Sequence, residues 1–173
     1  MHTTQKIAPV IMGSVFALVG CGEQASDSGD VAQNQSGQTT QASWMLADAP
    51  ADPVEVAEAK ESAAEGEEIV IKGRIGGRKT PITEGSPVFT IVDLELPHCG
   101  QIPGATCATP WDYCCETSES LTANTATIQI ASGDEVAGVL EPLDLVIVRG
   151  TVGPRPNEDV LTVKASGVHV VDE

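Results

Sequence analysis

The residues best suited to chemistry in this chain are cysteines, and they concentrate in "CATPWDYCC", residues 107–115. Cys107, Cys114 and Cys115 lie within that stretch, and Cys99 precedes it beside His98. Three chemistries are open to such a group. In an oxidising compartment an even number of thiols closes into disulfides. Adjacent cysteines bond to each other only with backbone strain, so Cys99 would pair with one of Cys114 and Cys115, and Cys107 with the other. Closing a loop of about 15 residues in this way stabilises by about 3 kcal/mol in the chain-entropy picture. Alternatively the thiolates, with His98, hold copper(I), zinc or an iron–sulfur cluster. The spacing C-x7-C-x6-C-C lacks the pairs about two to four residues apart that structural zinc usually uses. In an extended chain Cys114 and Cys115 would also point to opposite sides, so sharing one ion would require a turn. Third, a strained and exposed vicinal pair could exchange as a redox-active disulfide. The two-disulfide staple is the expectation, with no cofactor, Trp111 and Tyr113 forming the loop's own small core, and Asp112 serving as a turn residue.

Little else in the chain offers catalysis. There is no nucleophile elbow, phosphate-binding glycine loop or paired-histidine zinc motif. His98 and His169 are the only histidines beyond residue 2, too few for most acid–base work, and His169 reads as an ordinary strand residue. No enzyme is expected. One charge asymmetry points to binding: Lys72, Arg74, Arg78 and Lys79 cluster within eight residues. With Arg155 they could form a cationic rim for an anionic glycan, lipid headgroup or acidic peptide. The plainer reading is surface charge balanced by Glu67, Glu68 and Glu84.

The elements that must position these residues are mostly strands. Period-two alternation with branched residues marks "EIVIKGRI" (68–75), "PVFTIVD" (87–93), "TATIQIA" (125–131), "LDLVIVRGTV" (143–152) and "VLTVKASGVHVV" (160–171). Gly73 and Gly150, inside strands, mark bulges or sharp bends. "GDEVAGVLEP" leaves room for a helical turn or two before the fourth of these strands. Residues 52–66 read as a helix, with Asp52 as cap, Pro53 at the first position, Glu55 completing a capping box and Gly66 as stop. The segment 94–124, between the second and third of these strands, is too long for an unstructured connection and contains the four cysteines.

This order, "IVIKGRIGG…VFTIVD…TATIQI…LVIVRGTV…LTVKASGVHVV", resembles the OB-fold, and more narrowly the small OB-fold domains of exported bacterial proteins. The resemblance covers residues 67–173 and implies a mainly β, five-stranded barrel with a preceding helix and a Cys-rich insertion. It implies ligand binding on the side of the basic loops. A twisted β-sandwich is the alternative. Phe89 is the only aromatic on the expected strands, so no stacking platform for nucleic acid is foreseen.

The N-terminus predicts where the protein resides. Lys6 precedes an apolar run, Ile7–Val19, of secretory-signal length and too short to cross a bilayer. It ends in "LVGC", Leu18–Cys21, which resembles the lipobox of bacterial lipoproteins. The resemblance implies a signal over residues 1–20, lipid attachment at Cys21 and, with Gly22 following, the outer membrane. Residues 21–51, rich in Ser, Gln, Gly and Asp, read as a disordered acidic tether. Removing the signal leaves eight basic residues (nine less Lys6) against twenty-five acidic ones. Such a charge repels nucleic acid. The expectation is a lipid-anchored cell-envelope module that binds or supports without catalysis, on the periplasmic or surface face, with an envelope protein, glycan or lipid as partner.

Overall fold

The computed structural model describes residues 42–172. The expected signal, Cys21 and most of the tether lie outside the described residues.

Six strands form one sheet: β1 Val54–Glu55, β2 Glu68–Ile75, β3 Val88–Val92, β4 Thr125–Ile130, β5 Leu145–Val152 and β6 Thr162–Val170. The last five are those the alternation predicts. Their order is β1-β2-β3-β4-β6-β5, and β2 also pairs with β5. The sheet therefore closes into a five-stranded barrel with β1 appended in parallel to β2. β4 and β6 run parallel while the other barrel pairs are antiparallel. This is the OB arrangement, and it excludes the sandwich. Closure leaves the barrel itself no free edge.

Inward-facing residues at every second position build the core. Ile71 and Ile75, Phe89 and Ile91, Ile128 and Ile130, Val146 and Val148, and Val163 and Ala165 are all buried. Gly73 sits where β2 passes from β5 to β3, and a Cβ there would come 2.8 Å from the Val92 carbonyl. Gly150 lies at the register shift between β5 and β6, where a Cβ would collide with the Lys164 carbonyl. Both are close approaches that only glycine fits.

The expected 52–66 helix is shorter. α1 spans Val56–Ser62, because Asp52 adopts a left-handed conformation (φ 53°) and Val54–Glu55 are drawn into β1. The capping role falls to Asp93, at the end of β3, whose Oδ2 accepts from Ala57 N at 2.8 Å. The helix expected before β5 is replaced by turns, and their buried Val136 and Leu140 join the core. The tether's end is also ordered. Trp44 is buried, Met45 bridges Val168, and His169 Nδ1 lies 3.1 Å from the Leu46 carbonyl. Residues 42–51, which the sequence placed in the tether, are part of the packed domain, because Trp44 contributes enough apolar area to join the core.

Among the described residues no helix is long and apolar enough to cross a membrane.

Candidate metal centre

The insertion between β3 and β4 is built from short turns. It contains 3₁₀ turns at Cys99–Gln101 and Pro110–Asp112, and α2, Ser118–Asn124, leads directly into β4. His98 caps the first turn: its Nδ1 accepts from Gly100 N at 3.2 Å, and its own N–H donates to Gln101 Oε1 at 3.1 Å. In the second, Asp112 accepts from Thr109 Oγ1 at 2.7 Å and from Cys114 N at 2.9 Å. The Thr109 bond, with that of Cys114, holds its carboxyl below the ordinary value. Asp112 is thus the turn residue the sequence suggested. Thr117 Oγ1 accepts from Ser120 N at 3.1 Å and caps α2.

Tyr113 is the pivot. It stands in the left-handed region at φ 55°, and Glu116 N donates to its carbonyl at 2.9 Å. Cys114 and Cys115 therefore occupy the middle of a tight turn. In an extended chain they would diverge; in this turn both thiols reach one point. The Sγ atoms of Cys99, Cys107, Cys114 and Cys115 all lie within 4.8 Å of one another. Cys114 is 3.3 Å from Cys107 and 3.5 Å from Cys99, while Cys99 and Cys115 are 3.8 Å apart. A zinc ion with four thiolates at about 2.3 Å has sulfur–sulfur edges of about 3.8 Å. The separations, from 3.3 Å to at most 4.8 Å, bracket that edge, whereas a disulfide brings sulfurs to about 2.05 Å. The four thiols are free. The disulfides expected from the sequence are not formed in this structure, because the turn gathers all four sulfurs together instead of sorting them into two bonded pairs. His98, grouped with the cysteines in the sequence reading, is not part of the cage; its Nδ1 is taken up by the cap, and its ring stands edge-on to Tyr113 at 6.5 Å.

The thiols share their protons within the cage. Burial pushes the Cys99 thiol up, but hydrogen bonds from Cys114, Cys107 and Cys115 outweigh it and hold the thiol below its ordinary value. Cys114 is pushed up by sharing its proton with Cys107 and Cys99. Cys99 is thus the sulfur toward which the neighbouring thiols donate.

The insertion is seated on the barrel. The Tyr113 ring is buried and packs on Gly76, where a Cβ would come 2.8 Å from its Cε2. Burial pushes its phenol up to about 12, and its hydroxyl has no partner. Gly77 N donates to the Trp111 carbonyl at 2.9 Å, and Trp111 Nε1 donates to the Lys79 carbonyl at 3.1 Å. Trp111 and Tyr113 are therefore clamps onto the β2–β3 loop more than a core of the insertion itself.

The basic residues separate into two groups. Lys72 pairs with Glu55 at 2.7 Å, and Arg74 Nη1 donates to the Leu143 carbonyl at 2.9 Å. Arg155 donates to the Ala63 and Lys60 carbonyls at 2.6 and 2.7 Å and to that of Glu158 at 3.0 Å, closing the C-terminal end of α1. Lys72, Arg74 and Arg155 thus each make contacts within the fold. Arg78 and Lys79 are exposed on the β2–β3 loop. Arg78 lines a cavity of about 260 Å³ with Thr122, Thr125, Thr127 and the 159–161 loop. A second cavity, of about 540 Å³, lies away from the cysteines between α1, α2 and the β5–β6 loop. Its one cation, Lys60, is taken up by the Thr122, Thr125 and Asp159 carbonyls. Nothing in the residues around Lys60 marks it as this buried tie.

No protein-family model matches the chain, and no curated protein does. Among solved structures, the chain is similar to the hypothetical protein YgiW from E. coli at 17% identity, covering 70% of this chain and 94% of that one with a TM-score of 0.40. It is similar to the OBody AM1L10, solved bound to hen egg-white lysozyme, at 12% identity, covering 74% and 99% of the two chains with a TM-score of 0.40.

Proposed function

We propose that this protein is a lipid-anchored, non-catalytic module of the bacterial cell envelope whose barrel carries one metal ion, zinc in the first instance. Cys99, Cys107, Cys114 and Cys115 are its ligands. The observation that carries the reading is the convergence of four Sγ atoms within 4.8 Å of one another. A ring of four thiolates leaves no open coordination position, which is the mark of a structural site. An iron–sulfur cluster spreads its cysteines over more than one iron and needs a wider cage. Copper(I), a softer ion, competes for the same thiolates. The ion would fix the insertion against the β2–β3 loop and so hold Arg78 and Lys79 in place. That surface is where an envelope protein or an anionic glycan or lipid would dock, with Cys21 supplying the anchor at the outer membrane.

Intact mass tests this on the full chain with Cys21→Ser, to prevent acylation. After zinc loading, the native mass should carry one zinc, and the stripped, denatured chain should show four free thiols. A denatured mass four hydrogens lower, with no native adduct, would replace the metal centre with two disulfides.

A further inference from the structure

We infer that the cage is also a redox switch, in which an organic disulfide oxidises Cys107 and Cys114 and expels the ion. This rests on the metal reading above. The four sulfurs are not equivalent: Cys99 is 1% exposed, whereas Cys114 and Cys115 are exposed and Cys107 is half-buried. Thiol–disulfide exchange requires a thiolate that the disulfide can reach; Cys114 is exposed, and as a ligand of the ion it would be held as thiolate. It also has a resolving partner, since Cys107 Sγ lies 3.3 Å away, nearer than the 3.5 Å to Cys99. Bond formation needs a further approach of only about 1.3 Å to reach disulfide length.

Cys114 Sγ attacks one sulfur of the organic disulfide, breaking its S–S bond, forming a mixed disulfide and releasing one small thiolate. Cys107 Sγ then attacks Cys114 Sγ, forming the Cys107–Cys114 bond and releasing the second small thiolate. Two electrons pass from two cysteine thiolates to the organic disulfide. The cage's two negative charges leave with the two small thiolates, which take up protons from solvent. Cys99 and Cys115 alone remain on the ion, half of the tetrahedral set that zinc requires, so the ion departs. The Cys107–Cys114 loop contains Trp111 and Tyr113, the residues that clamp the β2–β3 loop. Oxidation therefore acts on the surface beside Arg78 and Lys79.

The experiment uses the zinc-loaded full chain with Cys21→Ser and oxidised glutathione as probe. Zinc release is followed with a chromogenic chelator, and the disulfide formed is mapped by peptide mass. One zinc should leave per first disulfide, that bond should join Cys107 to Cys114, and dithiothreitol with zinc should restore the starting state. Cys107→Ser, which lacks the resolving thiol, should stop at a glutathione adduct on Cys114. A chain that binds zinc and keeps it through the oxidant, or whose first bond involves Cys99, overturns this inference alone. A chain that takes up no zinc before the oxidant is added overturns the metal reading and the switch together.

Discussion

Tyr113→Phe should stabilise this protein, although Tyr113 is at the centre of the insertion's seat. The side chain is 1% exposed, and its hydroxyl is buried with no hydrogen-bond partner. Leaving a buried hydroxyl unsatisfied costs about 1–3 kcal/mol. Phenylalanine fills the same ring volume and loses only the oxygen's dispersion contacts, each worth about 0.1–0.2 kcal/mol. The balance favours the variant by about 1 kcal/mol. For a chain of this size that raises Tm by roughly 3 °C. Urea unfolding of both proteins, each with and without zinc, measures the difference. Zinc stoichiometry should not change, since the phenol is not a ligand. Tyr113→Ala controls for the ring and should cost about 3–5 kcal/mol. Destabilisation of Tyr113→Phe by 1 kcal/mol or more would mean that the hydroxyl does bond in solution, and the account of this seat would be wrong.

Further expectations follow from the same geometry. Lys60→Met removes the donor to three carbonyls and should cost about 3 kcal/mol in thermal or urea unfolding. Burial pushes the Lys60 ammonium below its ordinary value, so the folded chain gives up this proton at lower pH than the unfolded chain does. Stability should accordingly rise with pH in the alkaline window below 10.5, and a wild-type minus Lys60→Met difference curve should show that rise. Gly150→Ala sets a Cβ against the Lys164 carbonyl and should cost about 2 kcal/mol or more by urea unfolding, whereas Lys72→Ala, which breaks a half-buried surface pair with Glu55, should cost about 1 kcal/mol or less in the same assay. Charge reversal at Arg78 and Lys79 should weaken binding to anionic vesicles or glycans; unchanged binding to all of them would remove the basic loop as a docking surface.

The barrel was legible because closed sheets of this kind write themselves in alternation. Ile128 and Ile130 face inward while Gln129 between them is exposed, and such a pattern fits no helix. Gly73 and Gly150 were legible for a related reason, since a glycine inside a branched strand signals something close to its backbone. What escaped the sequence depended on contacts between distant residues. Asp93 caps α1 from 36 residues away, so local cap chemistry at Asp52 misplaced the helix start. Arg155 looked like part of a ligand rim because its carbonyl partners, Lys60 and Ala63, lie more than 90 residues away. Trp44, Met45 and Leu46 form one apolar spot in polar sequence, and only the finished barrel supplies the core that buries Trp44. The cysteine cage turned on one dihedral. With Tyr113 extended, Cys114 and Cys115 would face apart and a staple would be the natural solution; with Tyr113 at φ 55° they converge. A non-glycine residue in that region is uncommon, and the letters "DYCC" do not announce it.

The most direct test of the four-thiolate centre is X-ray absorption at the zinc edge of the loaded, full-length chain with Cys21→Ser. The account predicts a shell of four sulfurs at about 2.3 Å and no nitrogen or oxygen neighbour. A mixed shell with imidazole or water in place of one or more sulfurs would contradict it.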